Sequence, residues 1–426
     1  MKASTFHPDD MPPGARRALY GIFCWLNRNP IVLRGIGAVL RVWPLVGGWF
    51  GLAARASAVK KVLMRPHSFS NTSHASNMVA GDYLIGMDPG PTYNADRALL
   101  EQRLAVLSVQ ADADREAQRR IAKLQANRAG ASFDLIDDYL MWVVFRAIEP
   151  VYGTAAQKVS QGAQSNADDE ALQRQFLMEI RYVAAQLLNG SSATLPARRR
   201  AEVCADALQS RIKGATEDIR QAWKVSCLAD VIERNAVGLA WISHPVTVQS
   251  GALIVQELLR RPGVYDSLRS LAKQSSDIWS DSAFRATVRD HVLELMRFRP
   301  VFPLLVRDVP RDTELETGHS RNAPCAAGGK VGVWSIAAMF DSRAVPHSGR
   351  FHPGRNWGDE KELRYLMFGY GSRQCPAKDY AVDIMTSALI GLLSLPNSQL
   401  RLAPEEGKAI VYDGPLMSRM RVRFGE

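Results

Sequence analysis

Hydrophobic positions recur along most of this chain at intervals of three and four residues, the period of an α-helix with one buried face. That spacing predicts helices over 96–125, 133–152, 171–189, 202–217, 219–261, 283–297 and 376–394. Strand-like alternation is scarce and brief. The stretch GGWFGLAARASAVKKVLMRPHSFSN, residues 47–71, reads as two short strands and a helix. The fold expected is therefore mainly α with small β-sheets. No repeat, linker or low-complexity block divides the 426 residues, so a helical extension over 1–40 should precede a single body over 41–426. The most polar interval, QKVSQGAQSNADDE at 157–170, reads as a surface loop between helices.

Residues 18–54 are apolar overall, but Arg28, Arg34, Arg41 and Pro44 interrupt any run of about twenty residues that could cross a bilayer, so no transmembrane segment is expected. The first forty residues could lie amphipathically on a membrane surface, but packing on the protein's own body is the arrangement expected. Lysine and arginine outnumber aspartate and glutamate by 53 to 43, a net charge of +10. Basic chains bind phosphate, yet no nucleic-acid recognition motif is present and the arginines are dispersed. A solvated surface accounts for the charge, and part of it could dock an acidic protein.

The five cysteines, Cys24, Cys204, Cys227, Cys325 and Cys375, are scattered, with no CxxC pair and no Cys/His cluster, which argues against a zinc site or a disulfide framework. The odd number, with no recognisable signal peptide, points to free thiols in a cytoplasmic, reducing setting. Cys375 stands apart by its neighbours, FGYGSRQCPAKDYAV from Phe368 to Val382. A thiolate that ligates a metal from a loop needs backbone N–H groups aimed at the sulfur, and glycines at 369 and 371 permit the turn that aims them. Arg373 adds a cation, and the apolar spacing after 376 places the cysteine at a helix N-terminus, where the dipole favours an anion.

This segment resembles the haem-binding loop of the cytochrome P-450 superfamily, F-x-x-G-x-R-x-C-x-G, with Ala377 in place of the last glycine. The resemblance implies that Cys375 is the thiolate ligand of the iron of haem b, that Phe368 packs near the sulfur and that Arg373 reaches a propionate. HVLELMRFRP supplies Glu294 and Arg297 as the family's E-x-x-R pair, PLLVRDVPRDTEL places Arg307 as a second propionate arginine, and SGRFHPGR suggests that Arg350 completes a triad with Glu294 and Arg297. MDPGPTYNADRALL matches a stretch in which many members carry H-x-x-x-R against the propionates; here Tyr93 replaces the histidine and Arg97 keeps the cation. The resemblance covers roughly residues 40 to 426.

Members that activate oxygen place an acid and an alcohol on the distal helix to relay protons. Counting back from LLRRP, that pair falls on Pro245 and Val246, neither of which carries a proton. Thr247, one position later, could serve instead, and His244-Pro245 is similar to the basic residue before proline in members that use peroxide or rearrange hydroperoxides. Three readings stay open. The first is a monooxygenase of a small, largely apolar organic substrate, of secondary-metabolite or lipid-like kind, fed by a ferredoxin or flavodoxin with its reductase. The second is a peroxygenase or hydroperoxide isomerase, and the third a non-catalytic haem-binding protein. Catalytic candidates are Cys375, Thr247 and His244; substrate choice would lie in loops near 67–90 and 171–200, with Trp241 and Ile242 lining an apolar distal face.

Overall fold

The computed structural model describes residues 13–424 apart from 76, 127–131, 160–165, 190–194, 320–321, 396–399, 404–407 and 415. The core of the expected surface loop, 160–165, and part of the second substrate-loop interval, 190–194, thus lie outside the described residues. The N-terminal half carries helices α1 (Pro13–Arg28), α2 (Pro30–Val42), α3 (Ala56–Met64), α4 (Thr72–Ala75), α5 (Pro91–Leu104), α6 (Val109–Ala126), α7 (Met141–Val159) and α8 (Asn166–Asn189). After these come α9 (Leu195–Gly214), α10 (Thr216–Trp223), α11 (Ala229–Leu259), α12 (Pro262–Gln274), α13 (Ser282–Phe298), α14 (Ser335–Ala338) and α15 (Lys378–Leu393).

Strands are short: β1 (Val46–Gly47), β2 (Phe50–Ala53), β3 (Ser132–Asp134), β4 (Leu305–Asp308), β5 (Thr313–Leu315), β6 (Ala323–Cys325), β7 (Lys330–Val333), β8 (Arg401–Leu402), β9 (Ile410–Asp413) and β10 (Leu416–Arg423). One sheet has the order β1-β2-β7-β4, in which β2 and β7 run parallel with Phe50 opposite Lys330 and Ala53 opposite Val333. A second is built on β10, which pairs with β3, β8 and β9, and β5 pairs with β6. The architecture is mainly helical with small sheets, as the periodicity predicts.

Two predicted helices resolve into pairs. The run 96–125 breaks between α5 and α6 at 105–108, and 219–261 breaks between α10 and α11, where Lys224 takes a left-handed conformation with φ 53°. The expected start at 133 is instead strand β3 followed by a π-helical turn over Leu135–Leu140. Where the chain signals a start, the structure uses it. Asp281 caps α13 by accepting from the Phe284 N–H at 2.9 Å, and Pro30, Pro91 and Pro262 open α2, α5 and α12, where a missing N–H costs nothing.

Helix α11 is the axis. It is buried on nearly all sides and packs against α7, α8, α9, α13 and α15, as a helix that is apolar all round should. Below it, α13 anchors the chain that leads to Cys375. The Glu294 carboxylate accepts two bonds from Arg297, at 2.9 and 2.8 Å, and one from Arg355 at 3.1 Å. Arg297 also donates to the carbonyls of Met339, Ser348 and Arg350. Arg355 therefore occupies the third place of the triad that the sequence suggests for Arg350. The Arg350 side chain is exposed, and its residue contributes only a carbonyl, shared by Arg297 and Arg355.

Candidate active site

The loop before α15 is shaped by its glycines. Gly369 and Gly371 have φ of 85° and 66°, a region closed to most side chains, and a Cβ on Gly369 would stand 3.2 Å from the Arg373 carbonyl. The turn brings the Cys375 N–H onto the Phe368 carbonyl at 2.8 Å and aims the Ala377 N–H at the Cys375 sulfur. Phe368 packs beside Tyr365, with ring centroids 6.4 Å apart. Burial pushes the thiol's pKa up, and the Ala377 N–H, Arg97 and Lys378 pull against it. Cys375 itself is half-buried, so part of the residue stays accessible instead of being sealed in packed core.

Arg97 and Tyr93, both on α5, hold this loop from the side. The Tyr93 hydroxyl donates to the Ser372 carbonyl at 2.9 Å, and Arg97 Nη1 donates to the carbonyls of Ser372 and Gln374 at 3.2 and 2.7 Å. Arg97 Nε pairs with Glu101 at 2.8 Å. Tyr93 and Arg97 thus meet the cysteine loop directly, a contact that the sequence does not reveal.

Arg307, on β4, and Arg373 are buried close to each other. Arg373 Nη1 meets Asp88 at 2.5 Å; the carboxylate is itself held by the Asn71 N–H at 2.9 Å and by the Ser70 hydroxyl. Arg307 makes one hydrogen bond, to its neighbour's carbonyl at Val306, 2.8 Å away. Burial, and then the charge of Arg373, lowers its pKa to about 9. His74 shares this ground and is lowered to about 4 by burial and by the Arg307 charge. Of the two buried guanidiniums only Arg373 has a directly bonded carboxylate, while Asp88 and Asp308 act on Arg307 from a distance, so Arg307 keeps donors for an anionic group. Asp88 and His74 carry no motif of their own. Asp88 is legible only as the acid in MDPGP, 285 residues from its partner.

The wall above is α11. From 235 to 258 every residue is buried except Ile242, Ser243 and Val246, which are partly exposed and fall on one face at i, i+1 and i+4. Only Ser243 among them carries a proton on a heteroatom, and its hydroxyl donates to the Leu239 carbonyl. Pro245 leaves the Trp241 carbonyl without its helical donor. One turn earlier Gly238 lets the Tyr83 ring lie against the helix backbone, where any Cβ would collide with it. Tyr83 is buried edge-on to Trp241, with centroids 6.4 Å apart, within electrostatic reach of Cys375.

Thr247 and His244 lie off that face. Thr247 is buried. His244 Nε2 bonds the Met141 carbonyl on α7 at 2.8 Å; burial lowers its pKa to about 4, so it is neutral, and a neutral ring donates through Nε2. Its Nδ1 has no partner. The arrangement as a whole joins a sulfur that accepts the Ala377 N–H, a neighbouring arginine pair and, through Tyr83, the apolar helix α11. That donor set fits haem: a thiolate for the iron, cations for the propionates and an apolar surface for the ring.

Comparison with known proteins agrees. Residues 250–408 match the family model described as Cytochrome P450. The Trimethyltridecatetraene synthase of Zea mays is 29% identical over 215 residues, 45% of this chain and 35% of that protein. The chain spans about a third of the length of the curated relatives it matches. The open cytochrome P450 Eryk from S. erythraea superposes with a TM-score of 0.67 at 19% identity, over 93% of this chain and 96% of that one. CYP109E1 from Bacillus megaterium in complex with corticosterone gives 0.69 at 16% identity, over 93% and 98%.

Proposed function

We propose that this chain, which belongs to the cytochrome P450 superfamily, is a haem-thiolate monooxygenase that oxidises a small, largely apolar organic substrate of secondary-metabolite or lipid-like kind. One observation carries the reading: the half-buried Cys375 loop, with its two left-handed glycines and its N–H aimed at sulfur, carries Arg373 next to the buried Arg307. Haem b ligated by the Cys375 thiolate would supply oxygen activation, the thiolate's electron donation favouring O–O cleavage. Arg307 and Arg373 would hold the propionates, with Asp88 keeping Arg373 aimed in their absence. Tyr93 and Arg97 would fix the height of the cysteine loop and extend the propionate site at its edge.

Tyr83, Trp241, Ile242 and Val246 make an apolar lining that excludes water and suits an apolar substrate. Corticosterone, bound by the Bacillus megaterium protein, is a molecule of that kind. Proton delivery would fall to Ser243, the hydroxyl on the partly exposed face, instead of Thr247 or His244. Electrons would come from a ferredoxin or flavodoxin and its reductase in the cytoplasm, the acidic carrier drawn to a chain of net charge +10.

A second reading, a peroxygenase or hydroperoxide isomerase that needs no electron donor, is favoured by Pro245 and Val246, which supply no proton. The reduced carbon-monoxide complex should show the red-shifted Soret band of cysteine ligation and lose it in Cys375→Ala. An unshifted band, or one kept by that variant, rejects the thiolate assignment. Turnover with electron donor, lost in Ser243→Ala and kept in Thr247→Ala, supports the monooxygenase. Turnover with peroxide alone supports the second reading, and haem binding without either leaves a non-catalytic haem protein.

A further inference from the structure

The segment that follows α13 leaves a cleft of about 60 Å³ between α1, α11 and the β9–β10 hairpin. Its walls are mostly apolar, with Phe23 of α1, Leu253 of α11, Val301, Phe302 and Leu416 among them. None of its lining residues belongs to the cysteine loop or to the Arg307–Arg373 pair. A single water needs about 10–15 Å³ of such room, so the cleft admits several waters or an organic group of a few heavy atoms. Arg299 forms part of the lining, and it is only 2% exposed.

This buried cation is short of a counter-charge. Nη1 donates to the Arg28 carbonyl at 2.9 Å and Nη2 to the Tyr412 hydroxyl at 3.4 Å, both neutral acceptors, and Nε has no partner. The carboxylate within electrostatic reach is that of Glu257, which is held by Arg261 at 2.7 Å and by Arg260 at 3.7 Å. Burial lowers the pKa of Arg299; Tyr412 and Glu257 pull against that, and Arg260 adds to it. Arg34, across the same seam, also draws on Glu257, so four guanidiniums share one carboxylate. A buried charge without a partner is costly, and a guanidinium does not escape the cost by losing its proton. The other polar groups of the lining are donors too. Tyr412 Oη accepts from Arg299 and from Gln256 Nε2 at 3.2 Å, which leaves its proton to give, and Gln249 has Oε1 occupied by the Met417 N–H at 3.0 Å, which leaves its NH2 group. Donors gathered around an unneutralised cation suit an acceptor-only group, and apolar walls suit a carbon chain behind it.

We propose that this cleft binds the carboxylate of an organic acid with an apolar body, Arg299 and the Tyr412 hydroxyl taking the head. The site stands independently of the haem reading. Sodium hexanoate should bind the full-length protein saturably in isothermal titration and should raise its melting temperature in step with concentration. Methyl hexanoate, with the same chain and no charge, should do neither, and nor should sodium chloride at equal ionic strength. Arg299→Gln should lose the response. Should that buried substitution fail to fold, Phe23→Glu carries the test: the position is 39% exposed, so the fold should tolerate it, and the new carboxylate on the cleft wall should weaken hexanoate binding at least tenfold. No binding by the wild type would overturn the proposal, as would equal binding of the methyl ester. Undiminished binding by Phe23→Glu, or by a folded Arg299→Gln, would overturn it as well.

Discussion

The two walls of the candidate site are built on opposite principles. The cysteine side is crowded with directed bonds: Tyr93, Arg97, Asp88 and the Glu294–Arg297–Arg355 network each fix a backbone or a cation in one orientation. The α11 side has almost none, and works by what it omits, an apolar face interrupted by one serine hydroxyl. Directed bonds tolerate no loss of a partner, because the group left behind is buried and charged. An apolar wall tolerates change of shape more readily than gain of charge.

The largest expected effect lies on the cysteine side. Glu294→Ala leaves the guanidiniums of Arg297, 1% exposed, and Arg355 buried without their carboxylate. The loss should be roughly 3–5 kcal/mol in denaturant unfolding, with poor recovery of folded protein. A loss below about 1 kcal/mol would mean that the network is ornamental and the contrast between the walls false.

On the α11 side the expected effect is a matter of pH. His244 titrates at about 6.5 when unfolded and about 4 when folded, so the unfolded chain binds more protons between those values. Stability should be flat above pH 6.5 and fall as pH drops toward 4, by up to roughly 3 kcal/mol from this group alone. Carboxylates titrate nearby, so the comparison is with His244→Gln, whose stability curve should lose that component. Parallel curves for the two proteins would place His244 in contact with water.

The smallest effect sharpens the picture of the loop. Gly369→Ala imposes a side chain at φ 85° and sets its Cβ 3.2 Å from a carbonyl, which should cost roughly 1–3 kcal/mol. The cost should appear as reduced haem retention at a nearly unchanged circular dichroism spectrum. Full retention would show that the loop bends freely.

The difference between the walls also explains what could be read before the structure. The cysteine loop is legible because its requirements fall within eight consecutive residues, two of them glycines that only a left-handed backbone explains. Glu294 and Arg297 are legible as neighbours on one helical turn. Their third partner is not, because SGRFHPGR offers Arg350 and Arg355, and the choice rests on how the turn after Ser348 presents one carbonyl and the other guanidinium. Asp88 and Arg373 meet only through the fold. Ser243 hides for a related reason: with Pro245 and Val246 in the expected places, attention falls on the residues beside them, whereas the helix turns the serine onto the partly exposed face. Helix breaks at 105–108 and 224–228 escape notice because apolar spacing continues through them.

The parallel pairing of β2 with β7 has a consequence in time. Phe50 leaves the ribosome 280 residues before Lys330, its register partner, which is about 14–56 s at ordinary rates of synthesis. Through that interval β2 has no neighbour but β1, a two-residue strand, and the outward apolar stripes of α1 and α2 are already made. So distant a pairing closes slowly because the loop entropy is spent before the contacts repay it. Nascent chains should therefore depend on chaperones that hold the first sixty residues until the central sheet can close.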